Sequence, residues 1–192
     1  MINIQRMMLV DNEHLYGPGK RLLIYLKGCS IHCEGCINPH LWSFDGGTPL
    51  SSKEIIAIIS DKNLDGVTLH GGEPLDQADG LLTIVKDIKS LGKTVILFTG
   101  YTKKEINGNR LKIWNLADIV VAGRFQNKKR NVYLQFRGST NQRVYTHTGK
   151  YKSYKVKDGY TTAMFTIDEN GDMDVNGFLT EDIAELMKMN NG

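Results

Sequence analysis

Every cysteine of the chain lies in one short segment, Gly28-Cys29-Ser30-Ile31-His32-Cys33-Glu34-Gly35-Cys36-Ile37-Asn38-Pro39-His40-Leu41-Trp42. The three cysteines, Cys29, Cys33 and Cys36, have the spacing C-x3-C-x2-C. A single loop that turns back on itself can bring three thiolates so spaced to the same side, where they converge on one small inorganic centre. The sequence therefore predicts that the rest of the chain positions this loop.

Three kinds of centre compete for these cysteines. A disulfide framework requires an even number of cysteines and a secreted context, whereas the chain has three cysteines and no signal-like apolar N-terminus. A structural zinc site requires four ligands, so His32, His40 or a distant residue would have to join the cysteines. An iron–sulfur cluster normally has four thiolate ligands, so three thiolates leave one iron free to bind a substrate or cofactor. The spacing favours the cluster and leaves the zinc site open.

The loop also matches a known family. A C-x3-C-x2-C motif after a short apolar run resembles the cluster-binding loop of radical S-adenosylmethionine (SAM) enzymes, in which SAM chelates the open iron through its amino and carboxylate groups. Gly17-Pro18-Gly19 with Arg21 is similar to the entry sequence of the glycyl-radical-enzyme activases. His70-Gly71-Gly72-Glu73-Pro74 is similar to the GGE motif that contacts the SAM amino group. The three matches occur in the family's order.

The resemblance implies a [4Fe-4S] cluster on Cys29, Cys33 and Cys36, with SAM on its unique iron. The reduced cluster would pass one electron to the SAM sulfonium, giving methionine and a 5′-deoxyadenosyl radical that abstracts a hydrogen atom; the protein orients the cofactors and excludes water. Glycines suit such a site because backbone without a Cβ atom can approach a ligand closely. No side chain of the chain is assigned a catalytic role. The SAM-binding residues implied are Gly71, Gly72, Glu73, Pro74, Thr99, Gly100 and Asn38.

Apolar runs predict a first strand at residues 1–10 and buried strands at 22–26, 66–70, 94–98 and 118–122. Ser51 and Glu54 have the spacing of a capping box, so a helix should begin there. Leu81, Ile84, Val85, Ile88 and Leu91 recur at helical spacing within 77–91, and a weaker helix is predicted from Lys103. Because strands and helices alternate, we expect right-handed crossovers, a parallel sheet and an α/β fold.

The loops at the carboxyl ends of parallel strands line up along one edge, where such folds bind ligands. This places residues 29–36, 71–74 and 99–101 side by side, within reach of one SAM molecule. Too few strands are present for a complete eight-stranded barrel. The predicted fold is therefore a partial (β/α) barrel, and the resemblance to radical SAM enzymes implies a barrel of their type.

The last third of the chain is less regular. Residues 131–136 and 144–147 could pair as strands, and 162–167 with 173–175 should form a hairpin because Asn170-Gly171 favours a turn with positive φ. Thr180 can cap a final helix that carries Ile183, Leu186 and Met187. With 192 residues, the chain fits a single domain, 1–192, whose core needs no disulfide.

Bulk properties restrict the partners. A net charge of +3 and a pI near 8.7 imply neither a nucleic-acid nor a membrane partner. No apolar run approaches a membrane span, and the mean hydropathy of -0.30 is typical of a soluble protein. Free cysteines without a leader indicate a reducing cytoplasm.

Among radical SAM enzymes, the resemblance is closest to the activating components of anaerobic ribonucleoside-triphosphate reductases. The matching features are Cys33-Glu34-Gly35-Cys36 with Asn38 and Trp42, then Thr99-Gly100-Tyr101 and the segment 137–142. The resemblance implies that the chain generates a glycyl radical on a large reductase subunit, with an electron from a flavodoxin-like or other low-potential donor. Two alternatives stay open: a radical SAM enzyme that modifies another glycyl radical enzyme, a peptide or a small molecule, and a non-enzymatic zinc-binding module.

Overall fold

A computed structural model describes residues 1–146, 149–167, 170–171, 173–177 and 180. Within them the chain forms an α/β fold with a seven-stranded sheet and a two-stranded hairpin. The sheet strands are β1 (Ile2–Val10), β2 (Arg21–Leu26), β3 (Thr48–Leu50), β4 (Gly66–Gly71), β5 (Thr94–Thr99), β6 (Ile119–Ala122) and β7 (Arg143–Thr146). The hairpin strands are β8 (Ala163–Ile167) and β9 (Met173–Gly177). The α-helices are α1 (Glu13–Tyr16), α2 (Ser52–Asp61), α3 (Ala78–Ser90) and α4 (Gly108–Leu116).

The strand order of the sheet is β3-β1-β2-β4-β5-β6-β7. Strands β2, β4, β5 and β6 are parallel, which confirms the predicted parallel centre. The outer strands β1, β3 and β7 are antiparallel to their neighbours. Residues 11–20 are too short a connection for a parallel crossover, so β1 and β2 pair as antiparallel neighbours.

The core lies mainly between the sheet and its helices. Every residue of β2 is buried, as expected for a central strand covered on both faces. Helix α3 buries Leu81, Leu82, Ile84, Val85 and Ile88, so its predicted apolar face is confirmed. Leu91, expected on the same face, is 44% exposed because the helix ends at Ser90.

Local capping fixes the start of α2 as predicted. Ser51 Oγ accepts the Glu54 backbone N–H at 3.4 Å, and Glu54 Oε2 accepts the Ser51 backbone N–H at 2.8 Å. These two bonds satisfy donors that a helix leaves unpaired at its first turn.

The weaker helix predicted from Lys103 is divided into a 3-10 turn, Lys103–Glu105, and helix α4.

The predicted strand at 131–136 is wrong. The Tyr133 backbone N–H bonds Asn131 Oδ1 and the Gln135 N–H bonds Asp158 Oδ1, each at 2.9 Å, and Phe136 has φ +66°. Because side chains take its backbone donors, the segment forms turns and β7 pairs with β6. The connection between β1 and β2 contains the short helix α1, which Asn12 caps by accepting the Leu15 N–H at 3.1 Å.

The predicted hairpin is confirmed. Strands β8 and β9 are antiparallel, and Gly171 in the connection has φ +88°, a conformation that glycine adopts without a Cβ penalty. The predicted terminal helix after Thr180 lies outside the described residues.

In the described ranges, no helix combines the length and apolar character needed to cross a membrane.

Candidate cofactor site

A cavity opens at the carboxyl edge of the parallel strands, and it contains about 850 Å³ of empty space, part of it open to solvent. The predicted site residues that line the cavity are Cys29, Cys33, Cys36, Asn38, Gly71, Gly72, Glu73, Thr99 and Gly100. Pro74 is buried behind Glu73 and does not line it. The sheet thus brings together loops that lie far apart in the sequence.

The cysteine loop leaves the carboxyl end of β2 and is held at its base. Gly28 donates its N–H to Leu41 O at 2.8 Å, and Cys29 donates to Trp42 O at 3.0 Å. The loop bends at His32, which has φ +49° and whose ring stacks on Trp42 at 4.6 Å between centroids. The segment that returns through Leu41 and Trp42 therefore closes the loop at its base, next to Cys29.

All three cysteines are free thiols. Cys29 is buried, whereas Cys33 and Cys36 are half-buried, and burial raises the pKa of the Cys29 and Cys33 thiols. The thiolate is the form that binds a metal, and a bound cation would favour the thiolate over the thiol. Across the residues that the structure describes, no three His, Cys, Asp or Glu side chains are arranged around a single metal ion. All three thiols line the same cavity, as the ligands of one multi-atom inorganic group would.

Gly72 brings the end of β4 into contact with the cysteine loop. Its N–H bonds Leu26 O, and the next N–H, of Glu73, bonds Gly28 O, both at 2.8 Å. A Cβ atom at Gly72 would lie 2.1 Å from Gly28 O, which is a backbone atom that cannot easily yield. The glycine is therefore required by the approach of two backbone segments.

Glu73 links two strand-end loops through its carboxylate. Only 1% of the residue is exposed. Its Oε1 accepts the Leu75 N–H at 2.9 Å and the Thr99 hydroxyl at 2.8 Å, and its Oε2 accepts the Gly100 N–H at 2.7 Å. Burial raises the Glu73 pKa to about 7, against the three hydrogen bonds that lower it. The loop after β4 is thereby joined to the loop after β5.

His70, near the end of β4, forms part of the cavity wall. Its ring lies between Tyr25, at 5.4 Å, and Phe98, at 4.6 Å. Desolvation lowers its pKa to about 4, so the imidazole is neutral at pH 7. The Nδ1 atom accepts the Gly71 backbone N–H at 2.6 Å, which fixes the tautomer.

The far wall of the cavity includes residues that had no assigned role in the sequence. Phe136, Gly138 and Gln142 line it from the turns before β7. Gln142 Oε1 accepts the Gly138 N–H at 2.8 Å, and its Nε2 donates to Gly123 O at 2.9 Å. The resemblance of segment 137–142 to the family was the sequence feature that could have indicated this wall. The sequence did not show that the segment reaches the cavity, because its position depends on the pairing of β7 with β6.

The chain is similar to a known domain family and, in part, to a solved structure. The family described as a 4Fe-4S single cluster domain matches residues 15–145, which include the cysteine loop and all cavity-lining loops named above. Over 53% of each chain, the fold also overlaps with the crystal structure of QueE from Escherichia coli, at 21% sequence identity and a TM-score of 0.44.

Curated relatives cover most of the chain. The chain is 33% identical over 138 residues to the anaerobic ribonucleoside-triphosphate reductase-activating protein of Salmonella typhi, a match that spans 67% of this chain and 90% of that protein. The protein of the same name from Escherichia coli is 32% identical over the same shares. Its counterpart from Enterobacteria phage T4 is 31% identical over 71% of this chain and 90% of its own. The chain belongs to the family of anaerobic ribonucleoside-triphosphate reductase-activating proteins.

Proposed function

We propose that this protein is a radical SAM activase that generates a glycyl radical on the large subunit of an anaerobic ribonucleotide reductase. The observation that carries the proposal is the single cavity on which three free cysteines and two glycine-bearing strand ends converge. Family membership supports the same activity, because the relatives are named for activating this reductase.

Cys29, Cys33 and Cys36 would hold a [4Fe-4S] cluster, and three thiolates leave one iron for a ligand other than protein. When bound, the cluster and SAM supply one-electron reductive cleavage of the SAM sulfonium. The protein itself would bind the cluster and SAM, orient them and keep water away from them. The buried side chain of Phe136, which lines the cavity, supports that last task.

Asn38, Gly71, Gly72, Thr99 and Gly100 would edge the SAM site, since all five line the cavity. Two residues of the predicted set have supporting roles in this proposal. The Glu73 carboxylate is already occupied by donors from its own chain, so it would hold the two loops in register and present backbone to the ligand. The buried Pro74 would stiffen the chain behind Glu73.

The proposal includes a low-potential electron donor of the flavodoxin type and a location in the cytoplasm, where thiols stay reduced. It treats residues 1–192 as one radical SAM domain. The hairpin supports this, because Asn176 Oδ1 of β9 accepts the Tyr25 hydroxyl of β2 at 2.9 Å.

The test is anaerobic reconstitution with iron and sulfide, followed by electron paramagnetic resonance (EPR) of the dithionite-reduced protein with and without SAM. A four-iron signal that changes shape with SAM is expected, followed by a glycyl radical signal when the large reductase subunit is added. SAM cleavage without that radical would indicate another substrate. Stoichiometric zinc with no iron signal would contradict the proposal and favour a zinc-binding module.

A further inference from the structure

A second carboxylate, Asp76, connects the cysteine loop to the sheet. Asp76 lies in the 3-10 turn Pro74–Gln77, and its side chain is 5% exposed. Its Oδ2 accepts the backbone N–H of Ser30 at 2.7 Å. Ser30 directly follows Cys29, so this bond fixes the backbone at the first cysteine of the motif.

The other oxygen of Asp76 is also engaged. Its Oδ1 accepts the Tyr101 hydroxyl at 2.7 Å and an Arg110 guanidinium N–H at 3.2 Å. The Tyr101 hydroxyl lies 3.1 Å from Ser30 Oγ, so tyrosine and aspartate hold the same residue from two directions. The Asp76 carboxylate thus joins four chain segments: the cysteine loop, the turn after β4, the loop after β5, and helix α4.

Arg110 aligns this buried carboxylate. Its Nε donates to Leu75 O at 3.0 Å, and its guanidinium lies 4.3 Å from the centre of the Tyr101 ring. A planar guanidinium held by both a carbonyl and an aromatic face has little freedom to move. Charge-assisted hydrogen bonds to a desolvated carboxylate are stronger than neutral ones. The arrangement is therefore rigid.

We infer that Asp76 is a positioning residue that sets where the cysteine loop stands relative to the loops that edge the SAM site. Asp76 is absent from the cavity lining, so its effect would pass through Ser30 and Tyr101. The inference rests on the proposed function, because it assumes that the cysteines hold the cluster to which SAM binds. A change at Asp76 leaves the three cysteines themselves in place, so cluster assembly and SAM binding can be measured separately.

The test compares D76N with D79N in the full-length protein. Asp79 is a matched control: it is an exposed carboxylate three residues further on that also bonds helix α4, through Asn109 Nδ2 at 2.8 Å. An asparagine at position 76 replaces one acceptor oxygen by an NH2 group that can only donate, so it loses the bond from either the Ser30 N–H or the Arg110 guanidinium. Both variants would be reconstituted with iron and sulfide, and SAM would be titrated into the reduced protein while the EPR spectrum is recorded.

We expect D76N to bind wild-type amounts of iron but to require at least tenfold more SAM for the change in the EPR spectrum. In the apoprotein, amide hydrogen exchange at 30–36 should accelerate in D76N and not in D79N. Y101F removes one hydroxyl and keeps the Asp76–Arg110 pair, so it should shift the SAM titration in the same direction by a smaller factor. This milder variant keeps the test valid if D76N folds poorly.

The outcomes separate the two proposals. If the wild-type protein responds to SAM and both D76N and Y101F respond at the same SAM concentrations, the positioning role is wrong while the proposed function stands. If the wild-type cluster does not respond to SAM, the proposed function is wrong and the positioning role is lost with it.

Discussion

Glu73 shows how one residue acquires its role from its surroundings. In the sequence, Glu73 is part of a motif that resembles one associated with SAM. Its position between Gly72 and Pro74 indicates no obvious structural partner. In the structure, its two oxygens accept three hydrogen bonds from Leu75, Thr99 and Gly100. A buried carboxylate is stable only with such donors, so this one holds two loops at a fixed separation.

Gly72→Ala should damage the site by steric conflict. The added Cβ would lie 2.1 Å from the carbonyl oxygen of Gly28, and only a shift of the cysteine loop can relieve this contact. We expect a SAM affinity lower by tenfold or more and an apoprotein destabilised by about 1–3 kcal/mol, the usual cost of overpacking. SAM titration and urea unfolding measure the two effects.

Gly100→Ala is the matched control for this substitution. It lies in the same cavity, but its nearest contact would be Ile31 Cδ1 at 2.7 Å, the end of a flexible side chain. Its effect on the unfolding free energy should be clearly smaller. Equal losses in the two variants would refute the backbone-contact explanation.

His70 should make stability depend on pH. Its pKa falls from 6.5 to about 4 on folding, so the unfolded chain binds more protons between these values. The free energy of unfolding therefore contains a contribution that is present above pH 6.5 and is lost as pH falls towards 4. Glu73, with its pKa raised to about 7, changes the free energy of unfolding with pH in the opposite direction. The contribution of His70 is therefore measured by comparing the wild type with a His70 variant.

His70→Asn removes the titrating group and retains an acceptor for the Gly71 N–H. Urea unfolding of the apoprotein at pH 5 and pH 7.5 should show that the wild type loses more stability at pH 5, relative to pH 7.5, than the variant does. Identical pH dependence in both proteins would show that His70 is protonated equally in the folded and unfolded states.

At the scale of elements, the parallel centre is held by more than its backbone ladder. Asp118, at the start of β6, is almost fully buried and accepts the Val95 N–H of β5 at 2.8 Å. It also accepts two hydrogen bonds from Lys89 Nζ of α3, at 2.6 and 2.7 Å. One side chain therefore connects two strands with the helix that covers them.

Asp118→Ala should destabilise the protein by about 2 kcal/mol, because it leaves a buried N–H and a partly buried ammonium without this acceptor. Lys89 remains 26% exposed and can recover some hydration, which keeps the cost below that of a fully buried pair. Urea unfolding measures the loss. The exposed pair of Asp61 and Lys62 provides the control, and Asp61→Ala should leave the urea midpoint unchanged.

At the scale of the molecule, the residues that form the main core are different from the cysteines of the cofactor site. The main core packs Leu22, Leu69 and Leu97 of the central strands against Ile55 and Ile88 of the helices, on residues distinct from the cysteines. Arg21, which is fully buried at the other end of the strands, donates to Thr68 Oγ1, Val67 O and Thr94 O and so ties β2, β4 and β5 together. The folded apoprotein should therefore not require the cluster.

Replacing Cys29, Cys33 or Cys36 by Ala should abolish cluster binding and SAM cleavage while most of the fold survives. Iron content and 5′-deoxyadenosine formation measure the first effect, and circular dichroism of the apoproteins measures the second. Wild-type rates of 5′-deoxyadenosine formation in any of these variants would rule out the cluster assignment. Collapse of the circular dichroism spectrum would instead show that the fold depends on these residues.

The sequence by itself determined the features that depend on neighbours along the chain. The cysteine spacing, the capping box of Ser51 and the apolar period of α3 involve contacts within a few residues, so they can be read before the fold is known. The alternation of strands and helices determined the parallel centre, because crossovers of that length have one favoured hand.

Only the tertiary structure decided which groups meet across the cavity. Ser30 and Asp76 are 46 residues apart in the chain, and Thr99 is 26 residues from Glu73. Neither pair has a local signal, because hydrogen bonds between distant segments of the chain follow from the order and register of the strands. The same reason explains the wrong strand at 131–136, where Asp158, more than twenty residues away, takes the Gln135 backbone N–H that a strand partner would have accepted.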